Sequence, residues 1–114
     1  KVKLIIAVIQ PSKLVEVKQG LYSIGVNLVT VLDVLGHGRQ KGFSEKYKGT
    51  RERGNLLKKI QLEIAVDDKD VEPVIQAIIK GAKTGETGDG KIFILDLKEC
   101  VRIRTEESGS VAIG

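Results

Sequence analysis

The sequence predicts an α+β domain with a four-stranded antiparallel sheet and two helices on one face. Three observations carry that expectation. Each half of the chain has a helical pattern flanked by two strand-like runs, the halves repeat at about 55 residues, and 114 residues suit a single core. Two βαβ units joined by a long connection close into the ferredoxin-like double βαβ arrangement. Because that fold hosts unrelated functions, function has to be read from particular residues.

Residues 3–9 are β-branched and apolar almost throughout, the pattern of a strand buried on both faces. Pro11 ends the run, and Ser12 stands where it would cap a following helix. Over 12–24, Leu14, Val17, Leu21 and Ile24 recur at spacings of three and four and predict one buried helical face, with Gly25 as the stop. A second strand is expected over 28–35, ended by Gly36. Residues 36–54 hold five glycines with no sustained period of either 2 or 3.6, so a long mobile loop is expected at about 37–56.

Ile60, Leu62, Ile64 and Val66 alternate with Gln61, Glu63 and Ala65, the period of a strand with one polar face. Asp67, Asp68 and Asp70 suit the start of a helix. Its buried stripe would be Val71, Val74, Ile75, Ile78 and Ile79, with Pro73 tolerated in the first turn. A Gly-rich loop follows at 82–91, then a fourth strand over 91–97. Residues 101–104 alternate apolar with Arg, as a short fifth strand would, and the C-terminal segment 98–114 ends in a polar tail expected to be mobile. All of this forms one domain over 1–114. One sheet face is left bare, which points to self-association.

Hydrophobic residues at 41% and charged residues at 30% are ordinary for a globular chain and argue against disorder or a fibrous class. The longest apolar run, Leu4–Ile9, is six residues, far below the roughly 18 to 20 of a membrane helix. A Lys pair leads into it with no small-residue cleavage site, so no secretory signal is expected. Cys100 is the single cysteine, which excludes an intrachain disulfide framework. A cytoplasmic location and a buried, structural Cys100 are therefore expected.

The net charge of +4 is concentrated. Residues 37–59 hold eight Lys and Arg against Glu45 and Glu52, a local excess of six over a body at −2. Nine of the 13 glycines fall in 36–54 and 81–90. Glycine lets backbone N–H groups converge on a phosphate, although a Gly-rich turn has the same composition. In 84–91, TGETGDGK, the amides of Gly88, Asp89 and Gly90 would hold an anion beside Lys91. In 36–42, GHGRQKG, Gly38 and Gly42 free the backbone, Arg39 offers a bidentate fork and Gln40 an amide oxygen. Arg102 and Arg104, two apart on an extended segment, would point the same way and clamp a polyphosphate or else form a solvated face.

Taken in order, GxGRQKG, TGxxGDGKIF and RIRT resemble the PII signal-transduction proteins, the trimeric nitrogen-regulatory family that senses nucleotides and 2-oxoglutarate. The resemblance spans the chain from Ile9-Gln10-Pro11-Ser12-Lys13-Leu14 to Arg102-Ile103-Arg104-Thr105. It implies a homotrimer with inward-packed sheets and a nucleotide, ATP or ADP, in the cleft between subunits. Gly88, Asp89, Gly90 and Lys91 would cradle its phosphates and Arg102 and Arg104 clamp them. Gly36, Gly38, Arg39 and Gln40 would add contacts from the loop base, and Thr30 and Ala65 would line the adenine pocket. Ala65 departs from the family's usual residue as a small apolar substitution. The resemblance further implies Mg²⁺ between the ATP phosphates and 2-oxoglutarate, with Gln40 completing its shell, Lys59 pairing the far carboxylate, and Lys41 and Gly42 closing over it. These ligands are effectors rather than catalytic cofactors, and the loop would switch between arrangements that a target reads.

The loop itself departs from the family pattern. Where many members carry a nucleotidylated tyrosine this chain has Glu52, and Tyr47 matches a different position. Thr50 matches a serine phosphorylated in cyanobacterial members. Lys48 stands where an arginine plugs ammonium channels, keeping charge without the fork. Lys46, Lys48, Thr50, Arg51, Glu52 and Arg53 would form a basic partner-binding loop for an acidic surface, on a membrane transporter or a metabolic enzyme. An RNA-binding module of similar topology is the alternative, but it needs strand aromatics to stack bases. Phe43, Phe93, Tyr22 and Tyr47 make no such cluster, so no nucleic-acid partner is expected. With His37 the only histidine and no nucleophile–base pair, an enzyme is not expected either.

Overall fold

The computed structural model describes residues 1–37 and 56–114. Its strands are β1 (Val2–Ile9), β2 (Thr30–His37), β3 (Leu56–Asp67) and β4 (Gly90–Asp96), and its helices are α1 (Leu14–Ser23) and α2 (Val71–Ala82). The sheet runs β2-β3-β1-β4 with every neighbour antiparallel, which is the ferredoxin-like double βαβ fold.

β1 and β3 occupy the centre because their alternating apolar residues can be covered from one side by both helices. Ile5, Ala7 and Ile9 of β1 and Ile60, Leu62, Ile64 and Val66 of β3 pack against Val17 and Leu21 of α1 and Val74, Ile78 and Ala82 of α2. Burying such side chains contributes roughly 1.5–3 kcal/mol each, so this cluster is the main source of stability.

Helix termini follow the predicted punctuation only in part. A 3-10 turn, Pro11–Lys13, leads into α1, and Ser12 lies inside it without making a cap bond. At the other end Gly25 adopts φ +88, its N–H reaches the Tyr22 carbonyl at 3.0 Å, and the Val26 N–H reaches that of Leu21 at 2.9 Å. That paired closure is the Schellman stop that glycine permits. The 3-10 turn Asp68–Asp70 brings negative charge to the start of α2 but no side-chain cap. Asp67 instead accepts a 2.8 Å hydrogen bond from the Ser110 hydroxyl.

Several expectations are corrected. β1 is covered on one face rather than both, because both helices lie on the same side of the sheet. β2 starts two residues later than expected, and Leu28 lies outside it, 63% exposed. Both β2 and β4 are edge strands. In α2, Ile79 falls outside the buried stripe, and Ala82 at its end is buried instead.

No fifth strand forms in 98–114. Val101 makes one isolated bridge to Ser108, and the chain between them turns back with Glu106 at φ 61. Four alternating residues are too few to hold a ladder once the chain reverses that closely. Nor is the tail free, since a 3-10 turn at Gly109–Ala112 is tied to Asp67 through Ser110 and to Arg102 through the carbonyls of Val111 and Gly114. Cys100 is half-buried rather than buried. No helix among the described residues is long and apolar enough to cross a membrane.

The face opposite the helices carries an apolar patch beside the charged and polar side chains of Lys59, Gln61, Glu63 and Lys91. Strand register aligns Leu4 with Ala65 and Leu95, and Ile6 with Glu63 and Phe93, and alternation adds Leu32 and Val34 of β2. Phe93 is 49% exposed and Leu95 44%.

Candidate functional site

The same registers sort the predicted binding residues. Val8 pairs with Gln61 on one side and Lys91 on the other, so Lys91 shares the open face with Lys59, two residues along from Gln61. Val34 opposes Lys59, which puts Gly36 on that face too. At this end of the sheet a cleft of ≈ 520 Å³ is lined by Val8, Gly36, His37, Lys59, Phe93 and the loop residues from Glu86 to Lys91.

Three features shape the loop. Gly90 begins β4 at φ +109 with its backbone so close to β1 that a Cβ would stand 1.8 Å from the Val8 carbonyl oxygen. Only glycine fits there. The Lys59 ammonium donates a 3.0 Å hydrogen bond to the Gly88 carbonyl, joining β3 to the loop across the cleft. The Asp89 carboxylate turns inward and accepts from the Thr84 hydroxyl at 2.5 Å, the Thr84 N–H at 2.8 Å and the Gly85 N–H at 2.9 Å. The Thr84 hydroxyl and then these two amides hold the Asp89 carboxyl below the usual carboxylate range. Asp89 is therefore an anion satisfied by its own loop, which leaves its backbone and that of its neighbours as the candidate donors.

A second group lies further along the sheet. Thr30 opposes Glu63, and Ala65 is two residues beyond on the same face. Ala65 is six residues from Lys59, about 20 Å at ~3.3 Å per residue. The C-terminal segment is tied to this same end through Ser110 and Asp67. Glu63 was not singled out from the sequence. The polar alternation of β3 puts it on the open face, where it is half-buried, but its place beside Thr30 follows from strand pairing alone.

Arg102 and Arg104 are corrected in geometry. They lie in a turn rather than on an extended strand. Arg102 is engaged by Glu107 through its guanidinium and by the Val111 and Gly114 carbonyls at 2.9 and 2.6 Å, while Arg104 is exposed. Thr105 donates to the same Glu107 carboxylate at 2.8 Å.

The structure thus brings together Gly36, Lys59, Gly88, Asp89, Gly90 and Lys91, and separately Thr30 and Ala65. Gly38, Arg39, Gln40, Lys41, Gly42, Lys46, Lys48, Thr50, Arg51, Glu52 and Arg53 lie outside the described residues. Among the described residues no group of three or more His, Cys, Asp or Glu converges as a metal site would.

Comparisons with known proteins agree with the motifs. The family described as Nitrogen regulatory protein P-II matches residues 2–107. The nitrogen regulatory protein P-II 2 of Methanothermobacter thermautotrophicus is 50% identical over 111 residues, 97% of this chain and 96% of that protein. The nitrogen regulatory protein GlnK of Escherichia coli is 42% identical over 111 residues, 97% of this chain and 99% of its own. Among solved structures, Arabidopsis thaliana PII bound to citrate superposes with a TM-score of 0.81 at 36% identity, covering 99% of this chain and 90% of that one. With the double βαβ fold, the Gly-rich loop and these relatives in agreement, the chain belongs to the P-II family of nitrogen regulatory proteins, signal transducers rather than enzymes.

Proposed function

We propose that this P-II protein senses ATP or ADP, and 2-oxoglutarate alongside ATP, in clefts between copies of itself, and passes the result to a cytoplasmic face of its target through its basic loop. The observation that carries the reading is the meeting of Gly36, Lys59 and the 88–91 loop around one cleft, drawn from three separate parts of the chain. Lys59 and Lys91 supply positive charge, and the glycines let backbone donors approach phosphate oxygens.

The roughly 20 Å between Lys59 and Ala65 supports a cleft shared between copies. One chain would offer the phosphate end, and a neighbour the Thr30–Ala65 end with Arg102 and Arg104. Packing the apolar patches of the open faces together as a homotrimer would bring such ends side by side while covering Phe93 and Leu95. In that arrangement the 102–105 turn would reach the phosphates from the neighbouring copy.

Gln40 would hold Mg²⁺ through its side-chain oxygen, and the ion, when bound, would supply a hard positive charge suited to the oxygens of phosphate and 2-oxoglutarate. The described residues fit that division, since they converge no carboxylate cluster of their own and the oxygens would come from the ligands. Lys59 would receive the far carboxylate of 2-oxoglutarate, exchanging its Gly88 carbonyl for an anion, and Lys41 and Gly42 would close over it. A solved relative is bound to citrate, an organic polycarboxylate, which supports a carboxylate effector. ATP and 2-oxoglutarate would then raise each other's affinity by the same factor.

Lys46, Lys48, Thr50, Arg51, Glu52 and Arg53 would read an acidic surface on a transporter or metabolic enzyme, with no nucleic-acid partner. Glu52 in place of a tyrosine rules out nucleotidylation at that position, and Thr50 is a candidate phosphorylation site. Calorimetric titration of 2-oxoglutarate with Mg-ATP, with ADP and with neither tests the mechanism. Binding is expected only with Mg-ATP; equal binding without nucleotide would overturn the coupling, and silence towards every nucleotide would overturn the function.

A further inference from the structure

The residue that organises the Gly-rich loop is the one that opens the TGxxGDGK motif, to which no phosphate contact has been assigned. We propose that Thr84 is its positioning residue, anchoring the Asp89 carboxylate inside the loop so that the backbone donors nearer Lys91 stay available to a nucleotide's phosphates. The inference rests on the nucleotide-binding function proposed above.

An aspartate in an anion-binding loop is a chemical problem, because a free carboxylate there would repel phosphate. The loop solves it by fixing the carboxylate, still charged, against neutral donors of its own residues. Both Asp89 carboxylate oxygens are taken by residues 84 and 85, with Thr84 giving its hydroxyl to one and its N–H to the other. The Thr84 oxygen in turn accepts the Glu86 N–H at 3.1 Å. Amides 84, 85 and 86 are thus spent on the staple, while those of 87–90 are not among its donors. The Asp89 carboxyl is held below its usual range by these same bonds, so it stays ionised and bound.

Two further ties set the loop's other side. Gly90 is pressed onto the Val8 carbonyl, and Lys59 holds the Gly88 carbonyl. The 84–90 segment is therefore pinned at both ends, and Thr84 is the exposed side chain on which the N-terminal pin depends. Without its hydroxyl, Asp89 would lose one donor and the Glu86 amide one acceptor. The freed carboxylate would be able to swing towards the cleft.

The test compares the full chain with Thr84→Val, which keeps the shape without the hydroxyl, Thr84→Ser, which restores it, and Thr84→Ala. Each is titrated calorimetrically with ATP, ADP and AMP, and amide exchange is followed over 84–91 in the free proteins. Losing a hydrogen bond to a charged group predicts about tenfold weaker ATP and ADP binding for the Val and Ala variants. AMP binding should change by less than about twofold, and the Ser variant should recover most of the loss. Exchange at 84–86 should speed up in the Val variant while its melting curve stays near that of the wild type. Unchanged ATP affinity in the Val variant, an equal loss for all three nucleotides, or a Ser variant as weak as Val would overturn the role. If the wild type itself binds no nucleotide, the proposed function fails and this inference with it; if it binds and Val matches it, this inference fails alone.

Discussion

Replacing Gly90 with alanine would place a methyl carbon 1.8 Å from the Val8 carbonyl oxygen, at a backbone angle of φ +109 that L-residues avoid. Strain at such an angle costs roughly 1–3 kcal/mol. Clearing the contact needs a retreat of more than about an ångström, which would part the first residues of β4 from β1 at the Ile9–Gly90 pair and give up one or two ladder bonds at about 1 kcal/mol each. The sum, about 2–5 kcal/mol, is a large share of the 5–15 kcal/mol typical of a domain. At roughly 4 °C per kcal/mol it should lower the melting temperature by about 8–20 °C. The internal control is Gly25→Ala, where φ is +88 but nothing lies within 4 Å. That substitution should cost only the conformational term of about 1–2 kcal/mol. Thermal unfolding by circular dichroism, at matched protomer concentration because assembly shifts the midpoint, reads both variants. Nucleotide titration of the folded Gly90→Ala protein should show loss of affinity. Equal melting of the two variants would refute the contact argument, as would Gly90→Ala melting within about 4 °C of the wild type.

Other expectations can be checked alongside it. Leu62→Ala empties a fully buried site between sheet and helices and should cost about 2–5 kcal/mol by denaturant unfolding, with an unchanged denaturant slope. Glu106→Gly relieves a left-handed backbone at φ 61 and should raise stability by roughly 1 kcal/mol in the same measurement. Asp67, Asp89 and Asp96 are all held below the ordinary value of 3.8, chiefly by Ser110, Thr84 and Lys3 respectively. Depressed carboxylates contribute stability above their unfolded values and lose it as pH falls through the folded ones. Unfolding midpoints should therefore drop below about pH 4, and less steeply in Ser110→Ala. The Lys3 ammonium is raised by Asp96, so its contribution is present below 10.5 and lost only above that.

Legibility differed by the range of the interaction involved. Every described strand and helix was visible in local sequence, β3 and both helices as a period and β1, β2 and β4 as short runs between turn residues, and Gly25 was readable as a stop because a left-handed closing residue is a local requirement. Ser12 failed as a cap for an equally local reason, since Pro11 starts a 3-10 turn one residue earlier. The cleft was half legible. Gly88, Asp89, Gly90 and Lys91 stood out by composition, but their meeting with Lys59 and Gly36 depends on strands 30 to 50 residues apart in sequence. Asp89 was legible as part of the loop and not as its internal anchor, because Thr84 and Asp89 meet only once the turn is folded.

The sequence by itself determined the elements, the double βαβ order, the concentration of basic charge and the family to which the motifs pointed. These follow from short-range patterns: 2- and 3.6-residue periods, turn residues and motif spacing. Tertiary structure alone decided that β2 and β4 are edges, that one sheet face stays open with an apolar patch on it, and that Lys59 bridges to the Gly88 carbonyl. It also turned Arg102 and Arg104 from a presumed strand into a turn tied to the tail. A guanidinium's partner is chosen by whichever carboxylate or carbonyl the folded chain brings within about 3 Å, and local spacing carries no record of that choice.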